Sequence, residues 1–333
     1  MFIDFFSKPS SLGISITDES ISMIQLNLDG KLVAYSNTLL EDGTIRAGRI
    51  LDREKLADKL REAFTTAKPN AIQYDSKHLK VVFGLPELNV FLYAFRLPSD
   101  FSGVDFVSYA SGEAATVVPF DPQDISWFYK RSEDKVLAVG VSRETLDSYT
   151  DVFRMVGLPS VAFDIDAMAF GRALLHPHSN NDLIAKNQPL MIVDIGIRSS
   201  FFVIYDGNRM VNLSVTTSVG GGEMDLVAKE IKAARAYYNS QFNESIEGII
   251  VLGDFSYIPH ADSFLAKETG LPVIHDGDPF VDIRDVEAVF GQLKSVDTMA
   301  DISRHLSYAR AVGFALRNLP ERRRQSEIDF GSI

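Results

Sequence analysis

Cysteine is missing from all 333 residues, so neither a disulfide framework nor a thiolate metal site can exist, and a reducing compartment is compatible. Histidine is scarce at six, and no two of the six stand at the i, i+4 spacing that puts a pair of imidazoles on one helix face. No metal is expected. Positive charge is short as well: 33 Lys and Arg against 45 Asp and Glu leave a formal charge of -12, which repels nucleic acid and anionic lipid. No nucleic-acid partner is expected. No apolar run approaches the ~20 residues a spanning helix needs. The opening MFIDFFSKPSS lacks the basic leader and the apolar length of a signal peptide, so Phe2, Ile3, Phe5 and Phe6 are read as packing residues. What remains is a cytoplasmic globular chain whose 46% hydrophobic content suffices for two lobes.

What is present is α/β patterning. GISITDESISMIQLNL (13–28) reads as strand, tight turn and strand, and Asp29-Gly30 signals a hairpin into KLVAYSNTLL. REKLADKLREAFTTA (53–67) repeats Leu56, Leu60, Ala63 and Phe64 at helical spacing. LKVVFGLP, NVFLYAFRLP, ISWFYK and KVLAVGV read as strands, with helices expected at 103–118 and 143–156. This block has the length of an inserted subdomain, with bounds at about 86–160.

The polar stretch HPHSNNDLIAKNQP (176–189) marks a lobe boundary. Beyond it LMIVDIGIRSSFFVIYDG (190–207) is a second strand-turn-strand unit. Gly220-Gly221-Gly222, a helix to about Ser240, the strand IEGIIVLGDF, a short helix closed by Gly270 and the strand LPVI follow. Only one helix fits between Gly222 and Ile249. The expected division is a first lobe over 1–180, a reduced second lobe over 186–300, a helix at 301–320 returning to the first lobe, and a tail at 321–333.

Two strand-turn-strand units, each opening a lobe, resemble the two-lobed actin/Hsp70-like (ribonuclease H-like) architecture that sugar kinases share. More narrowly, the chain resembles the type IV pilus assembly protein PilM family. The segments that carry this are VVFGLPELNVFLYAFRLP (81–98), EAATVVPFDPQDISWFYK (113–130), KVLAVGVSRETLDSYTDVFRMVGLPSVAFDIDAMAFGRAL (135–174), IVDIGIRSSFFVIYDG, VGGGEMD, GLPVIHDGDPF (270–280) and YARAVGFALRNL (308–319). The resemblance implies a cytoplasmic subunit at the inner-membrane platform of a pilus machine. It also implies that a PilN-like membrane partner docks by its N-terminal cytoplasmic peptide near the inserted subdomain. Self-association is left open.

The departures from that family concern the nucleotide. Its first phosphate loop reads Gly-Ile-Asp-Ile-Gly-Ser, whereas this chain has Gly13-Ile14-Ser15-Ile16-Thr17-Asp18. Ser15 stands where an aspartate would help place hydrated magnesium, and β-branched Thr17 where glycine lets backbone approach phosphate. The second loop keeps Asp194 and Gly196, but a strand-turn-strand hairpin needs a glycine and a local acceptor with or without phosphate.

The nucleoside end departs further. Gly253 is followed by Asp254 and Phe255 where the family has a second glycine, and one helix replaces several. Glu230 and Lys232 on that helix are read as a solvated face. If a nucleotide binds at all, the resemblance places it against Ser15, Thr17, Asp194, Gly196, Arg198, Ser199, Gly221, Gly222 and Gly253. The expectation is therefore a non-catalytic scaffold without cofactor, with an ATP- and magnesium-binding conformational switch as the alternative. A sugar-kinase-like enzyme is a further alternative; it would need the missing first-loop aspartate, and Asp164 with Asp166 are its nearest paired carboxylates. Arg198 is read as a neighbour for Asp194, and Arg322 to Arg324 as part of a polar tail.

Overall fold

The computed structural model describes residues 9–74, 78–99, 101, 105–118, 121–158, 160–176, 179, 181–196, 199–208, 210–253, 260–274, 278–290 and 307–319. The N-terminal phenylalanines, Arg198, Asp254 and Phe255, and the tail lie outside the described residues.

Apolar residues alternate through the first sixty residues, and they form β1 (Ser10–Ile16), β2 (Ser20–Asn27) and β3 (Leu32–Leu39) as an antiparallel meander. Gly30, with φ +76°, turns β2 into β3. A two-strand hairpin, β4 (Ile45–Arg46) and β5 (Arg49–Ile50), precedes α1 (Arg53–Thr65). Asp52 caps α1 by accepting the Lys55 N–H, and Leu56, Ala57, Leu60, Ala63 and Phe64 bury one face. The chain returns as β6 (Leu79–Leu85), parallel to β1.

Next come β7 (Val90–Arg96), α2 (Phe106–Ala115), β8 (Ile125–Ser132), β9 (Lys135–Ser142) and α3 (Arg143–Val156). Then β10 (Val161–Ile165) pairs parallel to β6, and α4 (Asp166–Leu174) follows directly. The first sheet thus has the order β10-β6-β1-β2-β3.

The second lobe repeats the plan. After the single turn α5 (Asp182–Ala185), β11 (Leu190–Ile195), β12 (Ser200–Tyr205) and β13 (Val211–Thr217) form a second meander. Then come α6 (Met224–Phe242), β14 (Gly248–Leu252), α7 (Ala261–Thr269) and β15 (Val273–Ile274). The sheet order is β13-β12-β11-β14-β15, with β14 parallel to β11 and β15 to β14. Each lobe is therefore a three-strand meander extended by two parallel strands. β13 is not among the strands expected from the sequence, although Val211, Leu213 and Val215 alternate with polar residues there.

Parallel neighbours need a crossover, and this corrects the bounds of the insertion. α7 is the crossover from β14 to β15, and α3 is its counterpart from β6 to β10. α3 packs on the first lobe: Tyr149 and Phe153 set their rings 4.8 and 5.0 Å from Phe83 of β6, Asp151 pairs with Arg53 of α1 at 2.9 Å, and the Tyr149 hydroxyl donates to the Gly48 carbonyl at 3.1 Å. Only β7, α2, β8 and β9 form a separate layer, a three-stranded antiparallel sheet in the order β7-β9-β8. The inserted unit spans about 90–142 and not 86–160.

Between Gly222 and Ile249 the chain holds the short turn Gly221–Glu223, the helix α6 and the start of β14. Val227, Ile231, Ala234 and Tyr238 bury its inner face, and Asn243, with φ 53°, ends it in the left-handed region. Lys232 pairs with Glu268 at 3.5 Å in an exposed setting, so this face is solvated. After α8 (Val286–Phe290), α9 (Ala309–Leu316) returns to the first lobe and packs on α4, β1 and β6. The fit is close at Gly13 and Gly313, where a Cβ would run into the backbone of Ala311 and of Ala169. Among the described residues no helix is long and apolar enough to cross a membrane.

Candidate functional site

The two hairpin turns, β1–β2 and β11–β12, face each other across a cleft of about 490 Å³ between the lobes. In the first turn Thr17 closes the loop on itself. Its Oγ1 accepts the N–H groups of Glu19 and Ser20 at 3.2 and 3.1 Å, and its own N–H donates to the Ser20 carbonyl at 2.9 Å. Asp18 turns its carboxylate onto the β4–β5 hairpin, accepting from Ala47 N at 2.6 Å and Gly48 N at 3.0 Å. Both of those residues have positive φ, which aims consecutive N–H groups at one anion.

In the second turn Gly196 N donates to Ser199 O at 2.9 Å, and Gly221 N donates to Gly196 O at 3.0 Å. Among the described residues, the N–H groups of Thr17, Glu19 and Ser20 in the first turn and of Gly196 in the second are thus engaged within the protein.

The cleft floor is a charge cluster. Arg310 of α9 pairs with Asp194 at the end of β11 and, through Nε at 2.7 Å, with Asp166 at the start of α4. One guanidinium therefore ties α4 to the second-lobe sheet, and it stands 5.4 Å from the centre of the Phe170 ring. Glu87, in the turn between β6 and β7, is partly exposed as a residue but turns Oε1 onto the N–H of Ala167 at 3.0 Å, the anion-favouring end of α4.

Desolvation, reinforced by the Asp166 charge, pushes the Glu87 carboxyl well above its ordinary range. Burial raises Asp166 to about 6, with Arg310 opposing and the Asp194 charge adding to the rise. Burial and the Glu87 charge likewise raise the Tyr205 hydroxyl. Among the described residues lining the cleft, Asp18, Glu19, Glu87, Asp166 and Asp194 are acidic and Arg310 alone is cationic. No group of three or more His, Cys, Asp or Glu among the described residues could hold a metal ion.

The expected site residues divide. Ser15, Thr17, Asp194, Gly196, Ser199 and Gly253 line the cleft. Gly221 and Gly222 do not: they form the turn into α6, with Gly222 exposed. Arg198 lies outside the described residues; among those described, Arg310 is the cation that meets Asp194. Gly253, at φ +91°, is required by packing, because a Cβ there would strike Ile195 O and the Asp194 carboxylate.

Asp164 and Asp166 are not a pair on one strand face. Asp164 ends its path in β10 against Arg172, with Arg317 at 3.8 Å, whereas Asp166 is the first residue of α4. Glu87 and Arg310 were not singled out in the sequence. The available signal for Arg310 is a lone cation within the small and apolar run YARAVGFAL.

The inserted sheet offers a second kind of surface. Val90, Leu92, Ala94 and Phe128 pack against the main core, while α2 covers Phe95, Val136 and Tyr129 on the other face. Beyond the reach of α2, Phe91 and Trp127 meet edge to face at 6.3 Å, and Trp127 lies over Gly140, where a Cβ would crowd its ring. Phe91, Tyr93, Trp127 and Tyr129 all remain partly exposed.

A family profile described as type IV pilus assembly protein PilM matches residues 13–225. No curated protein matches the chain. Among solved structures, a PilM-PilN type IV pilus biogenesis complex is 17% identical, covers 92% of this chain and 98% of that one, and superposes with a TM-score of 0.73. The ethanolamine utilization protein EutJ from Carboxydothermus hydrogenoformans is 10% identical over 93% and 90% of the two chains, with a TM-score of 0.52. A Bacteroides thetaiotaomicron protein with an actin-like ATPase fold is 10% identical over 83% and 95%, with a TM-score of 0.50. The fold is actin-like, and the chain belongs to the type IV pilus assembly protein PilM family.

Proposed function

We propose that this chain is a non-catalytic cytoplasmic scaffold of a type IV pilus or related secretion machine, recruiting an inner-membrane, PilN-like partner by its cytoplasmic peptide. The observation that carries the non-catalytic part is the Arg310 clasp. A guanidinium already occupies the gap between Asp166 and Asp194, the N–H groups of Thr17, Gly196 and Gly221 are engaged, and the other charged residues of the described lining are acidic. A triphosphate entering there would meet carboxylates, and phosphoryl transfer depends on positioning and charge stabilisation, for which Arg310, the cation of the described lining, is already engaged. For the partner, likeness to a structure described as a PilM-PilN complex over 92% of the chain is joined by the partly exposed aromatic face of the inserted sheet, which suits a short extended peptide.

The second reading, ATP as a conformational ligand, rests on the cleft's volume of about 490 Å³, within the range of ligand pockets. One titration separates the two. Purified protein with ATP and magnesium should give no binding heat and no phosphate release, whereas a labelled PilN-like cytoplasmic peptide should bind. Replacing Phe91 and Trp127 by alanine should abolish that binding while Asp194→Ala leaves it intact. Saturable ATP binding, or peptide capture indifferent to the aromatic changes in folded protein, would overturn the corresponding half of the proposal.

A further inference from the structure

Glu87 stands at a joint. β6 of the first-lobe sheet ends at Leu85, and β7 of the inserted sheet begins at Val90. The connecting turn is fixed to α4 by the Glu87 carboxylate on the Ala167 N–H. Facing that carboxylate are Asp166 of α4, Arg310 of α9 and Tyr205 of β12. Asp194 of β11 meets the same guanidinium, and Asp18 and Glu19 of the β1–β2 turn line the same cleft. Two carboxylates from two elements thus share one cation, and a third, on the turn that joins the inserted sheet to the first-lobe sheet, lies within its field.

We infer that Glu87, Asp166, Asp194 and Arg310 form a proton-linked clasp between the lobes. It is closed while Glu87 or Asp166 retains a proton and loosened when both are ionised, and the inserted sheet joined through the Glu87 turn moves with it.

The charge count gives the direction. With Glu87 and Asp166 both ionised beside Asp194, the described cluster sets three carboxylates against one cation; the Asp166 charge raises Glu87 and the Asp194 charge raises Asp166, so joint ionisation of Glu87 and Asp166 is opposed. The favoured proton holder is Glu87, whose carboxyl is raised well above its ordinary range by desolvation and by Asp166; Asp166, raised to about 6, is next. A raised folded-state pKa means that the closed cluster binds protons which the hydrated, separated groups release. Closure is therefore favoured at lower pH and weakens as pH rises through those values. No partner enters this reasoning, so it stands apart from the scaffold reading.

The absence of cysteine supplies the test. Asp42→Cys and Asp225→Cys, at exposed positions on the two lobes, take one spin label each, and dipolar spectroscopy reads the interlobe distance between about pH 5 and pH 8. The labelled parent should shift to longer, broader distances as pH rises. Adding Glu87→Gln, whose side-chain oxygen can still accept from Ala167, should hold the low-pH distribution throughout. Asp166→Asn should shrink the response, because it removes one of the repelling charges.

Trp127, the single tryptophan, lies in the inserted sheet and reports its surroundings by fluorescence. Its emission should follow pH in the parent and stay constant with Glu87→Gln. A parent without a pH response, or the same response in the parent and in both folded variants, would overturn the clasp. A distance change with unaltered Trp127 emission would overturn the hinge.

Discussion

The two hairpin turns that face the cleft share a topology and use their acidic residues in opposite ways. Asp18 in the first turn stays within its own lobe and binds two backbone N–H groups of a neighbouring hairpin. Asp194 in the second turn reaches across to Arg310, which also holds Asp166. One carboxylate fixes a loop; the other ties two parts of the molecule together. Two turns of one topology thus give their acidic side chains to internal contacts of different kinds.

The comparison breaks most severely at Arg310. Arg310→Ala would take from Asp166 and Asp194, with side chains only 13% and 10% exposed, the cation that they share and leave them facing Glu87. Removing one partner of such a buried pair costs about 3–5 kcal/mol, readable by urea denaturation. The loss should be larger at pH 8 than at pH 5, because protonation of carboxylates with raised pKa values relieves the repulsion. Arg310→Lys should recover only part of it, since an ammonium lacks the planar fork that engages two carboxylates.

A smaller effect is expected at Gly253. Gly253→Ala combines left-handed strain with a Cβ against Ile195 O and the Asp194 carboxylate, at roughly 2–5 kcal/mol together. Gly222→Ala, where nothing stands within 4 Å of the new atom, should stay within about 0.5 kcal/mol. Equal effects at the two glycines would show that the β14 turn does not press on Asp194. On the first-turn side, Asp18→Ala should cost only about 1 kcal/mol by the same denaturation measurement, since Ala47 is exposed and Gly48, though buried, lines the cleft, where water can replace the carboxylate.

Much of the frame is legible in the sequence because strands announce themselves by alternation and turns by glycine. The meander residues 13–28, the crossover stripe Leu146, Tyr149, Val152, Phe153 and Val156, and the single helix before β14 all follow from period and length. The clasp is less legible, since its members lie far apart in the chain: Glu87, Asp166, Asp194 and Arg310 converge only through the packing of α4 and α9 against the two sheets. Local reading therefore sets Asp164 beside Asp166, whereas tertiary contact gives Asp164 the Arg172 guanidinium and Asp166 that of Arg310, and no local signal brings the distant Arg310 to Asp194. Likewise α3 appears by sequence position to belong with the insertion, although β6 and β10 need it as their crossover.

The smallest expected effect concerns the most direct attempt to make the two turns alike. Ser15→Asp with Thr17→Gly restores the family's first-loop residues, and Thr17→Gly also frees the N–H groups of Glu19 and Ser20 from the threonine oxygen. If loss of that loop were the sole obstacle, ATP with magnesium should then bind. The cleft argues otherwise, because Arg310 would still span Asp166 and Asp194, Gly196 N and Gly221 N would still be engaged, and Ser15→Asp would add another carboxylate to a lining whose described charged residues are already acidic apart from Arg310. Calorimetric titration of the double variant should therefore match the parent, with no saturable heat. A gain of about tenfold or more in affinity, equivalent to about 1.4 kcal/mol, would show that the first turn alone bars the nucleotide and that the Arg310 clasp yields to a phosphate.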